Sequence, residues 1–506
     1  MLAGRGYDVM VNTGRSDARQ ASSGMEEIMG GLTIWWRGRR LALRQQGCQM
    51  VGIWWLQGII VGLLALVATA AYGQEPSQRL TITPSLSLGE RYDDNIFETK
   101  TDKQDDFITV ISPGIRVQYL PTAPTLGTLF DFDYRAAIEF FADHSSQNNV
   151  GHRLLLTLDS PLAPSLDVRF RELLVITDNP LGRDERLSPP TGLRPASQQQ
   201  RERTIHNEAE GRADIRLGGR TSLGVVFGNL VDDVDVPDEF DEFRYTVGTD
   251  LGYTFNVARN SRAFVAYQAT FESFRDNGIV PAGGSDAAFQ VHAFGPGVRH
   301  ELTPTLAVDA GLGYSFTTSD APQKDGNSGV IGNVKLTKTF NKGQASLGYA
   351  RRFGADGTTG DVLIDDTVSA IATINLTGKL TARLDGNVSW FNYQSVTTTT
   401  GTSDNSDRRF LSIRPGLTYQ ILRPWGISVA YIYEYTDYTE GTTANTSDHR
   451  LLLSTQYALR EWLVLGLSYR YGTRNVHGSG VTVSGVDEFT GNQVMLTLTA
   501  SPSLRF

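Results

Sequence analysis

The sequence predicts a transmembrane antiparallel up-and-down β-barrel of about 20 strands, all-β and preceded by a signal peptide. Three observations carry that prediction. The N-terminal region has the layout of an export signal, apolar and polar residues alternate from Leu80 to the end, and the connections between runs are short and long by turns.

The N-terminal region comes first. Residues 51 to 72 read VGIWWLQGIIVGLLALVATAAY, with Arg37, Arg39, Arg40 and Arg44 upstream and small residues, Ala68-Thr69-Ala70 and Ala71-Tyr72-Gly73, at its exit. A basic segment, an apolar core and a small-residue exit describe a cleavable signal. The expected division is therefore 1–73, extension and signal peptide, and 74–506, barrel. An uncleaved anchor is the alternative, disfavoured by the small-residue exit and the polar sequence that follows. The stretch before Met25 or Met29 reads as neither signal nor domain, and a start at one of those methionines accounts for it. The Arg39-Arg40 pair suggests a twin-arginine route, but that route carries folded cargo and suits a barrel poorly.

Composition narrows the class. The chain is 40% hydrophobic, and no second long apolar run exists, so a bundle of membrane helices is excluded. The single cysteine, Cys48, precedes the apolar core, so the exported part has neither a disulfide framework nor thiolate metal ligands. With 46 Lys and Arg against 55 Asp and Glu the protein is acidic, and residues 1–73 hold more Arg than acid, so the remainder is more acidic still. No nucleic-acid partner is expected of it.

The strands follow. In the run 128–141, Phe130, Phe132, Tyr134, Ala136, Ile138 and Phe140 take one face, and Asp131, Asp133, Arg135, Ala137 and Glu139 the other. Successive strand side chains point to opposite faces, so this run has one oily and one charged side. Further along, Ala209, Gly211, Ala213, Ile215 and Leu217 oppose Glu208, Glu210, Arg212, Asp214 and Arg216. Tyr245, Val247, Leu251 and Tyr253 oppose Arg244, Gly248 and Asp250, and Leu380, Ala382, Leu384, Val388 and Trp390 oppose Thr381, Arg383, Asp385 and Asn387. Leu306 to Phe316 and Trp425 to Tyr435 supply two more apolar stripes.

Soluble sandwiches also alternate, but these runs suit a membrane better. Soluble strands average about 5–6 residues, and spanning strands need about 9–11. Aromatic residues gather at run ends, as at Phe140, Trp390, Tyr433, Trp462 and Tyr471, which is the habit of an interfacial girdle. Short links at 303–304, 341–343, 377–379, 422–424 and 459–461 alternate with long polar ones such as 143–149, 178–203, 276–287 and 472–490. Short periplasmic turns and long external loops are the outer-membrane pattern. The count is even, with bounds of roughly 16 and 22.

A small repeat recurs on strands that descend to the periplasm. Ser112-Pro113-Gly114, Gly295-Pro296-Gly297 and Arg414-Pro415-Gly416 share it, and Ser501-Pro502-Ser503 is a relative. Proline cannot donate to a ladder, so these sites are expected to be bulges or local breaks. The final stripe, Val494, Leu496, Leu498 and Ala500 with a terminal Phe506, resembles the signal read by the barrel assembly machinery, with Pro502 as a departure.

Strands can span lipid only as a closed sheet, which turns the polar stripes inward. The candidate pore-lining residues are therefore Asp131, Asp133, Arg135, Glu139, Glu208, Glu210, Arg212, Asp214, Arg216, Arg244, Asp250, Arg383 and Asp385. A barrel of this size is too wide for side chains to fill, so its lumen holds water or a plug. The first run begins within a dozen residues of the expected cleavage site, which leaves no room for a globular plug domain. The loop from Asp178 to Arg203 is the longest candidate to fold inward, though the favoured reading of it is an exposed external loop. Phe391 and Tyr393 share the inward parity, as a short aromatic track or as part of the girdle. Asp93, Asp94 and Asn95 offer clustered oxygens but no EF-hand spacing, so a loop cap is expected rather than a metal, and no cofactor is foreseen.

The stretch from Leu86 through Tyr92-Asp93-Asp94-Asn95-Ile96-Phe97, with Asp106-Phe107-Ile108 and Ser112-Pro113-Gly114 after it, resembles the β-barrel porin 2 family and barrels associated with exopolysaccharide or exosortase loci. That resemblance implies an outer-membrane, porin-like protein, with a polysaccharide export system as a partner. No residue spacing specifies a polysaccharide. An enzyme is not expected: the seven His are scattered and none sits in a lipase or protease motif. A structural or adhesive barrel is the alternative to a channel.

Overall fold

The structure, a computed structural model, describes residues 78–121, 127–178, 203–234, 240–257, 261–276, 287–319, 328–355, 362–393, 397–398, 401–402, 407–438, 445–477 and 488–505. The expected signal peptide, the body of the 178–203 loop and Phe506 lie outside the described residues.

Twenty strands of 12 residues or more make up the fold: β1 Gln78–Asp93, β2 Asp106–Pro121, β3 Leu129–Phe141, β4 Asn149–Ala163, β5 Leu166–Thr177, β6 Thr204–Arg216, β7 Thr221–Val234, β8 Phe240–Asn256, β9 Ser261–Asp276, β10 Ala287–Thr303, β11 Leu306–Ser319, β12 Ser328–Phe340, β13 Gly343–Ala355, β14 Val362–Asn375, β15 Leu380–Tyr393, β16 Arg408–Leu422, β17 Trp425–Tyr438, β18 Asn445–Arg460, β19 Leu463–His477 and β20 Phe489–Ala500. Each pairs antiparallel with its neighbour in sequence, and β1 pairs with β20 from Leu86↔Ala500 to Asp93↔Gln493, which closes the sheet into a barrel. Closure removes the sheet edge, so the ladder can satisfy the backbone without water. The connections are short at one end, as at 164–165, 304–305 and 341–342, and longer at the other.

The register identifies the inner face. Arg91 of β1 lies 2.9 Å from Glu139 of β3, two strands away, which places both on the concave side. From there the pairing carries inward parity around the wall. The opposite parity is greasy: Leu312 is 64% exposed and Val265 62% exposed. A continuous exterior of such residues is stable only where lipid, not water, covers it. Even strand number, full closure, an apolar exterior and unequal ends together define an outer-membrane barrel.

The aromatic girdle has a repeated geometry that the alternation alone did not show. Seven tyrosines on odd-numbered strands each hydrogen-bond a polar group on the next strand or, for Tyr92, just before it: Tyr92 with Asp105, Tyr134 with His152, Tyr267 with His292, Tyr314 with Ser328, Tyr349 with Asp366, Tyr431 with His449 and Tyr469 with Asn492. In every case the partner sits two residues loopward of the residue directly opposite the tyrosine, as His152 does beside Leu154. A phenol with its ring in lipid and its hydroxyl tied to a polar group suits the interface.

The proline sites are breaks, not bulges. On β2, pairing to β3 skips Ser112 and Pro113 and resumes in the same register at Gly114↔Arg135. On β10 it skips Gly295 and Pro296, and on β16 it skips Arg414 and Pro415, again without a shift. The pairing of Pro113, Pro296 and Pro415 to the preceding strand is continuous. The last strand behaves alike: pairing to β1 stops at Ala500 and returns at Leu504↔Ile82.

Candidate functional site

All thirteen candidate positions fall on the inward parity of β3, β6, β8 and β15. They are spread around the wall and do not converge on one point. What the sequence did not show is how thoroughly they are paired. Asp131 receives Arg116 (Nε 2.9 Å), Asp133 receives Arg135 (3.0 Å), Glu139 receives Arg91, and Arg383 binds Asp385 (2.6 Å). Arg216 binds Asp167 (2.7 Å), and Arg244 binds Glu272 (2.7 Å) and Glu242. Glu208 lies 3.8 Å from His206, and Glu210 lines a cavity described below.

Four strands share one chain of charges that spans a fifth. Arg169 of β5 binds Asp214 of β6, which also holds Arg212 (2.7 Å). Arg212 then reaches Asp250 of β8 at 2.8 Å, and Asp250 binds Arg262 of β9. The step from β6 to β8 passes over Gly224 of β7. A Cβ on Gly224 would sit 2.3 Å from the Asp250 carboxylate and 2.5 Å from the Arg212 guanidinium, so the bridge exists because that position has no side chain. Further pairs the sequence reading missed have the same parity: Arg299 with Asp309, Arg352 with Asp365, Arg414 with Glu434, and Arg474 with Asp448. Their signal was present in the alternation, but on strands that were read mainly for their apolar face.

Across the lumen the wall changes character. Thr418, Ser428, Ser454 and Ser468 are directly opposite one another across β16 to β19, and Thr499, Ser87 and Ser112 continue the hydroxyls across β20, β1 and β2. Ser428 bonds Ser454 at 2.7 Å, and Ser87 bonds Thr499 at 2.9 Å.

One cavity of about 790 Å³ is lined by Thr157, Arg171, Glu210, Thr246 and Gln268 on β4 to β9 and by Arg352 and Asp365 on β13 and β14. Walls from different parts of the barrel thus face a common space. Arg171 has no acidic partner among the described residues. A second cavity of about 540 Å³ lies against β1 to β5, with Ser85, Ser87, Arg116, Arg135 and Thr499 in its lining.

The lumen also contains loop. Residues 94–105, which join β1 to β2, turn inward. Ile96 is 2% exposed and packs with the inward-facing Ile108, Val110 and Phe141, with Phe97 and Met495 against them. The 178–203 candidate lies outside the described residues; among the described residues it is the shorter first loop that turns inward. Asp93, Asp94 and Asn95 act as the cap that was expected, but the cap is fastened to the last strand. Asp94 accepts the Asn492 backbone N–H (2.6 Å) and side-chain amide (2.7 Å). Gln493 donates to Asp93 (2.8 Å), and Asn95 donates to the carbonyls of Thr99 (2.7 Å) and Thr490 (3.1 Å). The ladder of β1 and β20 ends at Asp93↔Gln493, and these side chains carry it one residue further.

Phe391 does point inward, but it is buried against Leu363 with Phe410 beside it, so it offers no open ring to the lumen. The Tyr393 side chain lies outside the described residues. Among the described residues no group of three or more His, Cys, Asp and Glu could hold a metal ion.

No protein-family model matches the chain, and no curated protein does. Solved structures do match. The siderophore receptor PirA from Pseudomonas aeruginosa aligns with a TM-score of 0.43 at 11% identity, over 85% of this chain and 81% of that one. The ferric-catecholate import receptor Fiu from E. coli K12 gives 0.46 at 11%, over 85% and 82%, and the FrpB iron transporter from Neisseria meningitidis 0.46 at 8%, over 85% and 82%. At such scores, what those receptors import is no guide to this barrel.

Proposed function

We propose that this barrel is a passive, porin-like channel for hydrophilic solutes, with its short turns in the periplasm and its long loops outside. The observation that carries the reading is the inner wall: acidic and basic side chains neutralise each other in place, and hydroxyls fill much of the rest. A wall of this kind is wet but binds no single ion strongly, which is what conduction requires. The thirteen candidate residues are pore-lining in this reading, most of them as halves of ion pairs. The hydroxyl rows favour polyhydroxylated solutes, the class that the resemblance to exopolysaccharide-associated barrels implies. The reading includes no catalysis. The His144–Asp106 pair (2.8 Å) supports a loop, because Asp106 also accepts the backbone N–H groups of Ala142, Asp143 and His144. Assembly through the closing strand and partnership with a polysaccharide export system are part of the same proposal.

The second reading, a structural barrel without transport, is favoured by one observation, the inward loop with its apolar packing. Planar-bilayer recording of the purified full chain separates the two. Steady conductance, reduced by added oligosaccharide, supports the channel. A silent bilayer with correctly folded protein supports the structural barrel.

A further inference from the structure

Loop 94–105 is under opposing influences. Its apolar residues hold it in: Ile96 fills a socket made by Ile108, Val110 and Phe141. Its backbone is strained in that position: Glu98 and Asp102 have φ of 52° and 53°, the left-handed region, and neither is glycine, with the Glu98 N–H on the Asn95 carbonyl (3.0 Å) and the Ile96 N–H on the Gln104 carbonyl (2.9 Å) holding the turns. Strain of that kind persists only where surrounding contacts impose it. The charged groups around Glu98 are already committed. It faces Arg474 of β19, Arg450 and Asp448 of β18, and Asp93 of β1. Arg474 is bound to Asp448 at 2.7 Å, and Arg450 lies 3.9 Å from Glu434. Further along the loop, Lys100 pairs with Glu488 at the start of β20.

We propose that residues 96–105 form an internal gate, with the Asp93-Asp94-Asn95 latch on β20 as its fixed hinge. Tucked, the loop narrows the lumen beside β18 to β3. Withdrawn, it gives up the Ile96 socket, relaxes the two left-handed residues and widens the bore. The proposal rests on the channel reading for its consequence, though not for its geometry.

Protonation biases the gate. Burial raises the Glu98 carboxyl from 4.5 to about 6, so the tucked loop holds its proton more tightly than a withdrawn loop in water. Tucking is therefore favoured as pH falls from about 6 towards 4.5, and that advantage is lost as pH rises through the same range. The difference between the two values sets a ceiling of about thirty-fold on the change in the tucked-to-withdrawn ratio.

The test is single-channel recording of the full chain in planar bilayers at pH 5 and pH 7.5. The wild type is compared with Ile96→Asp and Glu98→Gln, each first shown to be folded by its heat-modifiable gel migration. The expected result is two conductance levels, the lower more occupied at pH 5. Ile96→Asp shifts occupancy several-fold to the higher level at both pH values. Glu98→Gln abolishes the pH dependence and favours the lower level at pH 7.5. Folded variants that conduct as the wild type does at both pH values overturn the gate and leave the channel standing. Silence from all three proteins overturns both readings. Should Ile96→Asp fail to fold, maleimide labelling of Ile96→Cys relative to an exposed Thr101→Cys control serves instead. Relative labelling that rises from pH 5 to pH 7.5 supports the gate, and a constant ratio overturns it.

Discussion

The inner wall from β5 to β9 and the inner wall from β17 through β20 to β1 are built from the same backbone and face the same lumen, yet they are held in opposite ways. In the first, Arg169, Asp214, Arg212, Asp250 and Arg262 connect four strands through side chains and bridge over a fifth. In the second, Ser428, Ser454, Thr499 and Ser87 make short, local hydroxyl contacts, and the charges beside them, such as Arg474 with Asp448 and Arg414 with Glu434, stay in separate short groups that do not join into one chain. A charge removed from water must be paired, and removing one partner strands the other. A hydroxyl in a wet lumen takes a water instead. The charged wall is therefore rigid and intolerant of change, and the hydroxyl wall is open to it.

The largest expected effect breaks that contrast most directly. Gly224→Val puts a side chain where the Arg212–Asp250 bridge passes. It should lower barrel stability by about 3 kcal/mol, from overpacking and from two charges left without each other. Ser454→Val, a change of similar size on the hydroxyl wall, should cost under about 1 kcal/mol. Urea unfolding midpoints in lipid vesicles measure both. Equal losses at the two sites would remove the distinction.

Next in size is the seam within the hydroxyl wall, where β1 closes on β20. Asp94→Ala deletes the two acceptors that Asn492 uses beyond the end of the β1–β20 ladder. About 2 kcal/mol should be lost, mostly locally. Hydrogen exchange at the Asn492 amide should accelerate markedly while exchange at the Ser454 amide stays unchanged. A uniform acceleration would mean that the latch holds the whole barrel and not its seam.

How much of this was legible beforehand follows from what alternation encodes. Strand number, closure and the faces of Asp131 or Arg212 depend only on period-two parity, which the sequence displays at every step. Partnership depends on register across strands far apart in sequence, and parity carries no register. Arg91 and Glu139 are 48 positions apart by their residue numbers, and nothing local to either announces the other. Gly224 read as one more small residue in a strand; its purpose appears only once Arg212 and Asp250 are placed on either side of it. Loop 94–105 was harder for a different reason. Its polar letters suggest an exposed cap, and its two apolar residues, buried Ile96 and half-buried Phe97, are too few to mark an inward segment until the socket on β2 and β3 is known.

A smaller effect sharpens the comparison in function rather than stability. Arg116→Ala leaves Asp131 in the lumen with only the Gln118 amide at 3.1 Å. The freed carboxylate attracts cations within a Debye length of about 8–10 Å. The permeability ratio of potassium to chloride should rise roughly twofold, and the effect should fade in molar salt. Ser454→Ala, on the hydroxyl row of β18, should leave the ratio where it was. Reversal potentials in a salt gradient read both, and an identical ratio in Arg116→Ala and the wild type would show that the ion pairs do not hold the field of this wall in balance.

The smallest effect concerns the proline breaks, which lie outside the charged wall, at β2–β3, β10–β11, β16–β17 and the seam. At each one the register is the same before and after, so proline interrupts pairing without directing it. Sequence on either side must fix the alignment, and in β10 part of that is steric: a Cβ on Gly297 would lie 2.3 Å from the Phe264 ring, which ties that glycine to its place. At the seam, Pro502 lies in the gap between Leu86↔Ala500 and Ile82↔Leu504, a gap that also spans Pro84 on β1. Replacing Pro502 by Ala restores one N–H in a stretch where Pro84 still contributes none. The stability change should therefore be only a few tenths of a kcal/mol. The register should not move, because Ala500 and Leu504 already align on either side of the gap. Disulfide trapping between cysteines at Ser87 and Thr499 checks it: cross-linking as efficient in Pro502→Ala as in the unaltered seam fits, and a partner shifted by two residues would show that proline, after all, sets the alignment.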